Sequence, residues 1–94
     1  MKCQRIADLS YKEVIDLHTG QRLGYVRDAE IDPETGRVTA LIIPRESGFW
    51  GLGKTEQYRI PWCRIECIGE DTVLVKLTAA ELTTCIVGGR GKRK

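Results

Sequence analysis

The sequence predicts an all-β domain, a small and strongly bent antiparallel barrel with at most one short C-terminal helix. Three observations predict it. First, Asp32-Pro33-Glu34-Thr35-Gly36 separates two apolar-rich runs, Leu23–Ile31 and Val38–Ile43. Pro33 presets φ for the first corner of a turn, Asp32 can accept bonds from the turn amides, and Gly36 can take positive φ. A five-residue loop ending in Gly reads as a β-hairpin closed through a bulge. Second, short β-branched runs recur between Gly- and Pro-bearing turns, and no apolar stripe of helical period follows the first capping-box pattern. Third, Gly24 sits inside a strand run, where it lets the chain bend as a small barrel requires.

The elements follow in order. Arg5–Leu9 has mixed character and reads as a short strand or a lead-in segment. Lys12–Leu17 reads as a strand, turned by His18-Thr19-Gly20, which makes His18 a solvated turn residue. Arg22–Ile31 is expected as one strand. Its apolar phase shifts near Asp28, and a bulge there would bring Val26 and Ile31 into the same core, with Asp28 accepting backbone hydrogen bonds. Val38–Ile43 is apolar on both faces and reads as a central strand ended by Pro44. Arg45–Glu56 is expected as a long loop broken by Gly48, Gly51 and Gly53. Tyr58–Pro61 reads as a strand, and Trp62, Ile65 and Ile68 recur as one tight helical turn feeding another. Gly69-Glu70-Asp71 is a turn. In Thr72–Leu77, Val73, Val75 and Leu77 share one face. Thr78-Ala79-Ala80-Glu81 is a capping-box pattern that could open a helix, whereas Cys85-Ile86-Val87 could form an edge strand. The expected division is a domain over 1–87 and a flexible basic tail over 88–94.

Ninety-four residues allow one domain with one small core. The formal charge of +2 conceals an asymmetry. Arg90, Lys92, Arg93 and Lys94 supply four positive charges, and the remainder carries 11 basic against 13 acidic groups. A mildly acidic body of this kind is not a nucleic-acid-binding surface on charge grounds. No apolar run is long enough to span a membrane, and the start of the chain does not read as a signal peptide, so a cytoplasmic protein is expected. The four cysteines, Cys3, Cys63, Cys67 and Cys85, are expected to be reduced and buried as small hydrophobes. Cys63 and Cys67 lack zinc-knuckle spacing, and His18 is the sole histidine, so no metal site is expected.

Gly24-x-Val26-x-Asp28, then Asp32-x-x-x-Gly36-x-Val38 and the apolar run to Ile43, resemble the first half of a PRC-barrel domain. The Gly-rich aromatic loop, Ile60-Pro61-Trp62 and Ile68-Gly69-Glu70-Asp71 resemble the small stand-alone branch of that family, the YlmC/YmxH-type sporulation proteins. The resemblance spans about residues 5–77. It implies a compact β-barrel used as an adaptor, as in a photosynthetic reaction-centre subunit and a ribosome maturation factor. It implies no catalytic residue and no cofactor, and fold alone does not fix function.

Two stretches remain as functional candidates. Gly48-Phe49-Trp50-Gly51-Leu52-Gly53-Lys54-Thr55 formally fits the phosphate-loop pattern. That motif needs a helix directly after it, and the Tyr58–Pro61 run leaves no room for one. Phe49, Trp50 and Leu52 instead read as anchors for a protein partner, a second copy or a membrane surface, or as a cover for one barrel end. Arg90, Lys92, Arg93 and Lys94 read as a solvated tail or as a weak electrostatic contact for RNA or anionic lipid.

Overall fold

The computed structural model describes residues 4–45 and 56–88 of the chain. A one-turn helix α1 (Ile6–Leu9) leads into β1 (Glu13–Asp16), β2 (Arg22–Tyr25), β3 (Asp28–Asp32), β4 (Arg37–Arg45) and β5 (Glu56–Pro61). A 3-10 turn (Trp62–Arg64) leads on to β6 (Ile65–Ile68), β7 (Thr72–Val75), the helix α2 (Ala79–Thr84) and β8 (Ile86–Gly88). The strands form two four-stranded sheets, β2-β1-β7-β6 and β3-β4-β5-β8. Two stretches of chain pass directly from one sheet to the other: β2 into β3 through Val26-Arg27, and β5 into β6 through the 3-10 turn. Between the sheets lies one core of Leu9, Val14, Leu23, Val26, Leu41, Ile43, Tyr58, Ile60, Val73, Val75, Leu77, Leu82 and Cys85.

The hairpin forms where the sequence predicts, but its loop is the four residues 33–36, with Asp32 paired to Arg37 and no bulge at the turn itself. Gly36 has φ +75° and its amide donates to the Asp32 carbonyl at 2.7 Å, while an Asp32 carboxylate oxygen accepts from the Glu34 amide at 2.8 Å. β4 is one of the two inner strands of its sheet, with Ala40, Leu41, Ile42 and Ile43 all buried. Val73, Val75 and Leu77 share the buried face of their segment. The Thr78 capping box is formed in both directions: its hydroxyl accepts from the Glu81 amide, and its amide donates to the Glu81 carboxylate. The helix and the edge strand at the C-terminal end, alternatives in the sequence, are both present as α2 and β8.

Several expectations are corrected. Of the two readings of Arg5–Leu9, the strand is ruled out and the lead-in segment stands: Ile6–Leu9 makes one helical turn before β1, with Asp8 accepting from the Arg5 amide. Arg22–Ile31 is two strands in different sheets, and the phase change falls at the Val26-Arg27 corner. The bulge is not at Asp28. Val38 pairs with Ile31 and Ala40 with Glu30, which leaves Thr39 as the extra residue on β4. This turns both Val38 and Leu41 toward the core, while Ile31, near the hairpin tip, stays 57% exposed. Pro44 does not end β4, which continues to Arg45. The Ile42 carbonyl accepts from the Arg27 amide, so the Pro44 nitrogen points to the same edge, beyond Asp28 where β3 begins, and no donor is needed there. The sheets are not wholly antiparallel, because β1 and β7 pair in parallel. Gly88 belongs to β8 rather than to the tail. Cys63 and Cys67 are exposed, and only Cys85 of the described cysteines is buried.

Candidate functional site

One end of the second sheet holds the attachment points of both stretches singled out in the sequence. The register pairs Arg45 of β4 with Glu56 of β5, and Glu56 in turn with Gly88 of β8. Residues 46–55 therefore leave and rejoin the fold at neighbouring positions, and the chain after Gly88 leaves from the next strand over. Phe49, Trp50 and Leu52, the phosphate-loop-like stretch, and Arg90, Lys92, Arg93 and Lys94 lie outside the described residues. Their points of attachment do not.

The end is built from an ion pair over an aromatic ring. The Arg45 guanidinium donates to the Glu56 carboxylate, and its Nε lies 3.4 Å from the Tyr58 hydroxyl. Its Cζ is 5.7 Å from the Tyr58 ring centroid, within range of a cation–π contact. Tyr58 is buried, whereas Arg45 and Glu56 are about one-third exposed on their side chains. The Tyr58 hydroxyl first, then Glu56, hold the Arg45 guanidinium above its ordinary range, so its charge is fixed.

Beside this pair opens a cleft of about 630 Å3, lined by Glu13, Arg22, Leu23, Gly24, Tyr25, Pro44, Arg45 and Tyr58. It lies where β2 crosses β4. Gly24 makes that crossing: its φ is +119°, and a Cβ there would sit 3.1 Å from Ile43 Cγ2. The strands approach this closely only because the position carries no side chain. The lining pairs two tyrosines with two arginines and one carboxylate, and it sets no nucleophile beside a base. Such a surface suits aromatic, apolar and hydrogen-bonding groups. Among the described residues, no group of three or more His, Cys, Asp or Glu side chains could hold a metal ion.

The remaining predicted residues lie at the sheet crossing, in β3 and in the hairpin turn. Gly24 makes the sheet crossing, and Asp32 and Gly36 make the hairpin turn. Asp28 is exposed, and its carboxylate accepts from the Ala29 amide at 2.8 Å, away from the bulge. Sequence reasoning missed Asp16. It is fully buried at the end of β1, where it accepts from the Leu77 amide at 2.8 Å, the Thr19 hydroxyl at 2.7 Å and the His18 amide at 3.2 Å. Burial pushes its carboxyl up, and these bonds more than reverse that, leaving it below the ordinary value. The signal was present, since strand alternation puts Asp16 on the face of buried Val14. Lys12 was also missed. It is buried, and its ammonium donates to the Gly69 carbonyl at 2.5 Å and to Gln4 Oε1 at 3.1 Å. It thereby ties the segment before β1 to the β6–β7 turn.

Comparison with known proteins agrees with this architecture. The PRC-barrel domain family profile matches residues 3–82. The chain is 36% identical over 74 residues to the "Probable sporulation protein YlmC" of Bacillus subtilis (strain 168), covering 78% of this chain and 91% of that protein. It is 36% identical over 73 residues to the "Uncharacterized protein YmxH" of the same organism, covering 76% and 86%. An uncharacterized protein of Clostridium acetobutylicum is 41% identical over 64 residues, covering 67% and 72%. Two sheets linked at bent corners, a glycine where they cross, and this match over most of its length make the chain a member of the PRC-barrel domain family.

Proposed function

We infer that this chain is a non-enzymatic adaptor of the sporulation-associated PRC-barrel type, which holds a protein partner at the Arg45–Glu56–Gly88 end of its second sheet. One observation carries the reading. The register across β4, β5 and β8 sets both flanks of the aromatic segment and the origin of the basic tail side by side. Phe49, Trp50 and Leu52 lie among Gly48, Gly51 and Gly53 in the sequence and supply the large apolar groups in which interface energy concentrates. Arg90, Lys92, Arg93 and Lys94 supply a positive field that draws an acidic partner surface and raises its rate of encounter. The cleft beside Tyr25 and Tyr58 offers a further recess of mixed character.

The test compares the wild-type chain with Trp50→Ala, using pull-down from sporulating cells beside chemical denaturation of the purified chain. The adaptor reading expects loss of one interaction, with stability changed by less than about 0.5 kcal/mol. A loss of about 3–5 kcal/mol with an unchanged set of interactions would identify Trp50 as a core residue and overturn the reading.

A further inference from the structure

The outer face of the sheet β2-β1-β7-β6 carries a second surface. Its registers put Arg22, Ile15, Leu74 and Cys67 in one row across the four strands. Two bulges fix which way the row points. On β2, Leu23 is the extra residue, because Gly24 pairs with Val14 and Arg22 with Ile15. On β6, Glu66 is the extra residue, because Ile65 pairs with Val75 and Cys67 with Leu74. The bulges turn Leu23, Ile65 and Ile68 toward the core and leave Arg22, Glu66 and Cys67 exposed. Ile15 and Leu74 are partly exposed in the middle of the row, with Leu17 and Tyr25, 51% and 52% exposed, beyond it. A partly exposed apolar centre, flanked by the exposed Leu17 and Tyr25, gains free energy when something covers it.

The charges at the two ends of the row name the cover. Arg22 stands at the β2 end and Glu66 at the β6 end. Among the described residues neither belongs to an ion pair. A strip with a cation at one end and an anion at the other is complementary to itself. Two such faces packed about a two-fold axis parallel to the strands lay β2 of each copy over β6 of the other. Arg22 then meets Glu66 of the second copy, twice, and Ile15 lies over Leu74 of the second copy. An axis across the strands would instead put arginine over arginine and bring the two Cys67 thiols together. Charge selects the first arrangement.

We propose that the outer face of the β2-β1-β7-β6 sheet is a homodimer interface, with Arg22–Glu66 pairs at its two ends and Ile15 and Leu74 at its centre. The patch spans four short strands, so the interface belongs to the small class and the dimer is weak and concentration-dependent. This surface lies on the other sheet from the proposed partner end, although Arg22 and Tyr25 also border the cleft. A dimer would present two partner ends at once, which raises avidity for an array of partners without any new contact.

The experiment is sedimentation velocity of the full chain under reducing conditions, from low micromolar to low millimolar concentration. The wild type is expected to pass from monomer to dimer within that range. Arg22→Glu and Glu66→Arg are each expected to weaken the dimer by about tenfold, since two attractive contacts become repulsive. The double variant is expected to recover wild-type association. Both sites are exposed, and far-UV circular dichroism checks that each variant folds. A monomer throughout the range, or a double variant no tighter than the single ones, would overturn the proposal. So would rapid Cys67–Cys67 disulfide formation on removal of reductant, which marks the other axis. Loss of the dimer in Trp50→Ala would assign the contact to the 46–55 segment and defeat it as well, whereas an intact dimer in that variant leaves the two surfaces separate.

Discussion

Asp16 and Leu77 lie sixty-one residues apart in the chain, yet the Asp16 carboxylate accepts the Leu77 amide at 2.8 Å inside the core. This bond fastens the end of β1 to the segment that leaves β7, while Thr19 and His18 close the β1–β2 turn on the same carboxylate. One buried charge thus fixes two connections.

Replacing Asp16 with Ala should therefore destabilise the domain by about 3–5 kcal/mol, because three donors lose a charged acceptor away from water. Asp16→Asn keeps the shape and should cost less. The pH dependence has a definite sign. The folded carboxyl lies below its ordinary value of 3.8, so its stabilisation is complete above that value and is lost as pH falls through the lower, folded value. Urea denaturation between neutral pH and pH about 3 should show a steeper acid loss in the wild type than in Asp16→Asn. Parallel acid limbs would remove Asp16 from this role.

Two glycines should differ in what they tolerate. A Cβ at Gly36 meets nothing within 4 Å, so Gly36→Ala tests conformation alone and should cost about 1 kcal/mol, with Gly36→Val costing more. Gly24→Ala combines φ +119° with a 3.1 Å approach to Ile43 Cγ2 and should cost about 3 kcal/mol or more. Thermal melting of the three variants ranks them. A Gly24→Ala protein as stable as Gly36→Ala would contradict the close crossing of β2 and β4.

The cysteines should separate by rate. In a Cys3→Ser background, the exposed Cys63 and Cys67 should react quickly with a thiol reagent in the native state, and Cys85 slowly. Burial pushes the Cys85 thiol up and also shields it. Three equal rates under native conditions would show that Cys85 is not held in the core.

The Arg45–Glu56 pair should contribute little to stability for its prominence. Both side chains are about one-third exposed, so solvent screens them, and Glu56→Gln should change stability by less than about 1 kcal/mol. Tyr58→Ala, by contrast, removes a buried ring and should cost about 3–5 kcal/mol. Chemical denaturation of both variants measures the ratio, and comparable losses would mean that the ion pair is better shielded than its exposure indicates.

Much of the fold was legible because its signals are local. Asp32, Pro33 and Gly36 specify a turn by their own backbone preferences, and Thr78 with Glu81 specifies a helix start in four residues. The alternation Val73-x-Val75-x-Leu77 specifies a buried face. The break at Val26-Arg27 was not legible, because a bent strand and two strands in different sheets share one apolar pattern. The bulge was sought on the strand that shows the phase shift, whereas Thr39, on the partner strand, takes it up. Pro44 ends a strand only where its missing donor would be needed, and that depends on a neighbour that the sequence does not display. Cys63 and Cys67 read as buried by residue type, but the 3-10 turn and the β6 bulge rotate them outward. Asp16 is legible only where turn chemistry and strand alternation are combined, because neither alone marks a buried, bonded carboxylate.

The strand order has a consequence for how the chain reaches its fold. β1 is made early, yet one of its two neighbours in the sheet is β7; β5 likewise pairs with β8, at the far end of the domain. Neither sheet can be completed from the first half of the chain. Local hairpins form quickly, but the parallel β1–β7 register must wait for a closure across most of the sequence, and such closures set the folding rates of β-rich domains in the range of milliseconds to seconds. A nascent chain that has not yet delivered Thr72–Val75 exposes the Val14 side of β1 and an unpaired edge. This stage, rather than the finished barrel, is where the protein is most open to aggregation.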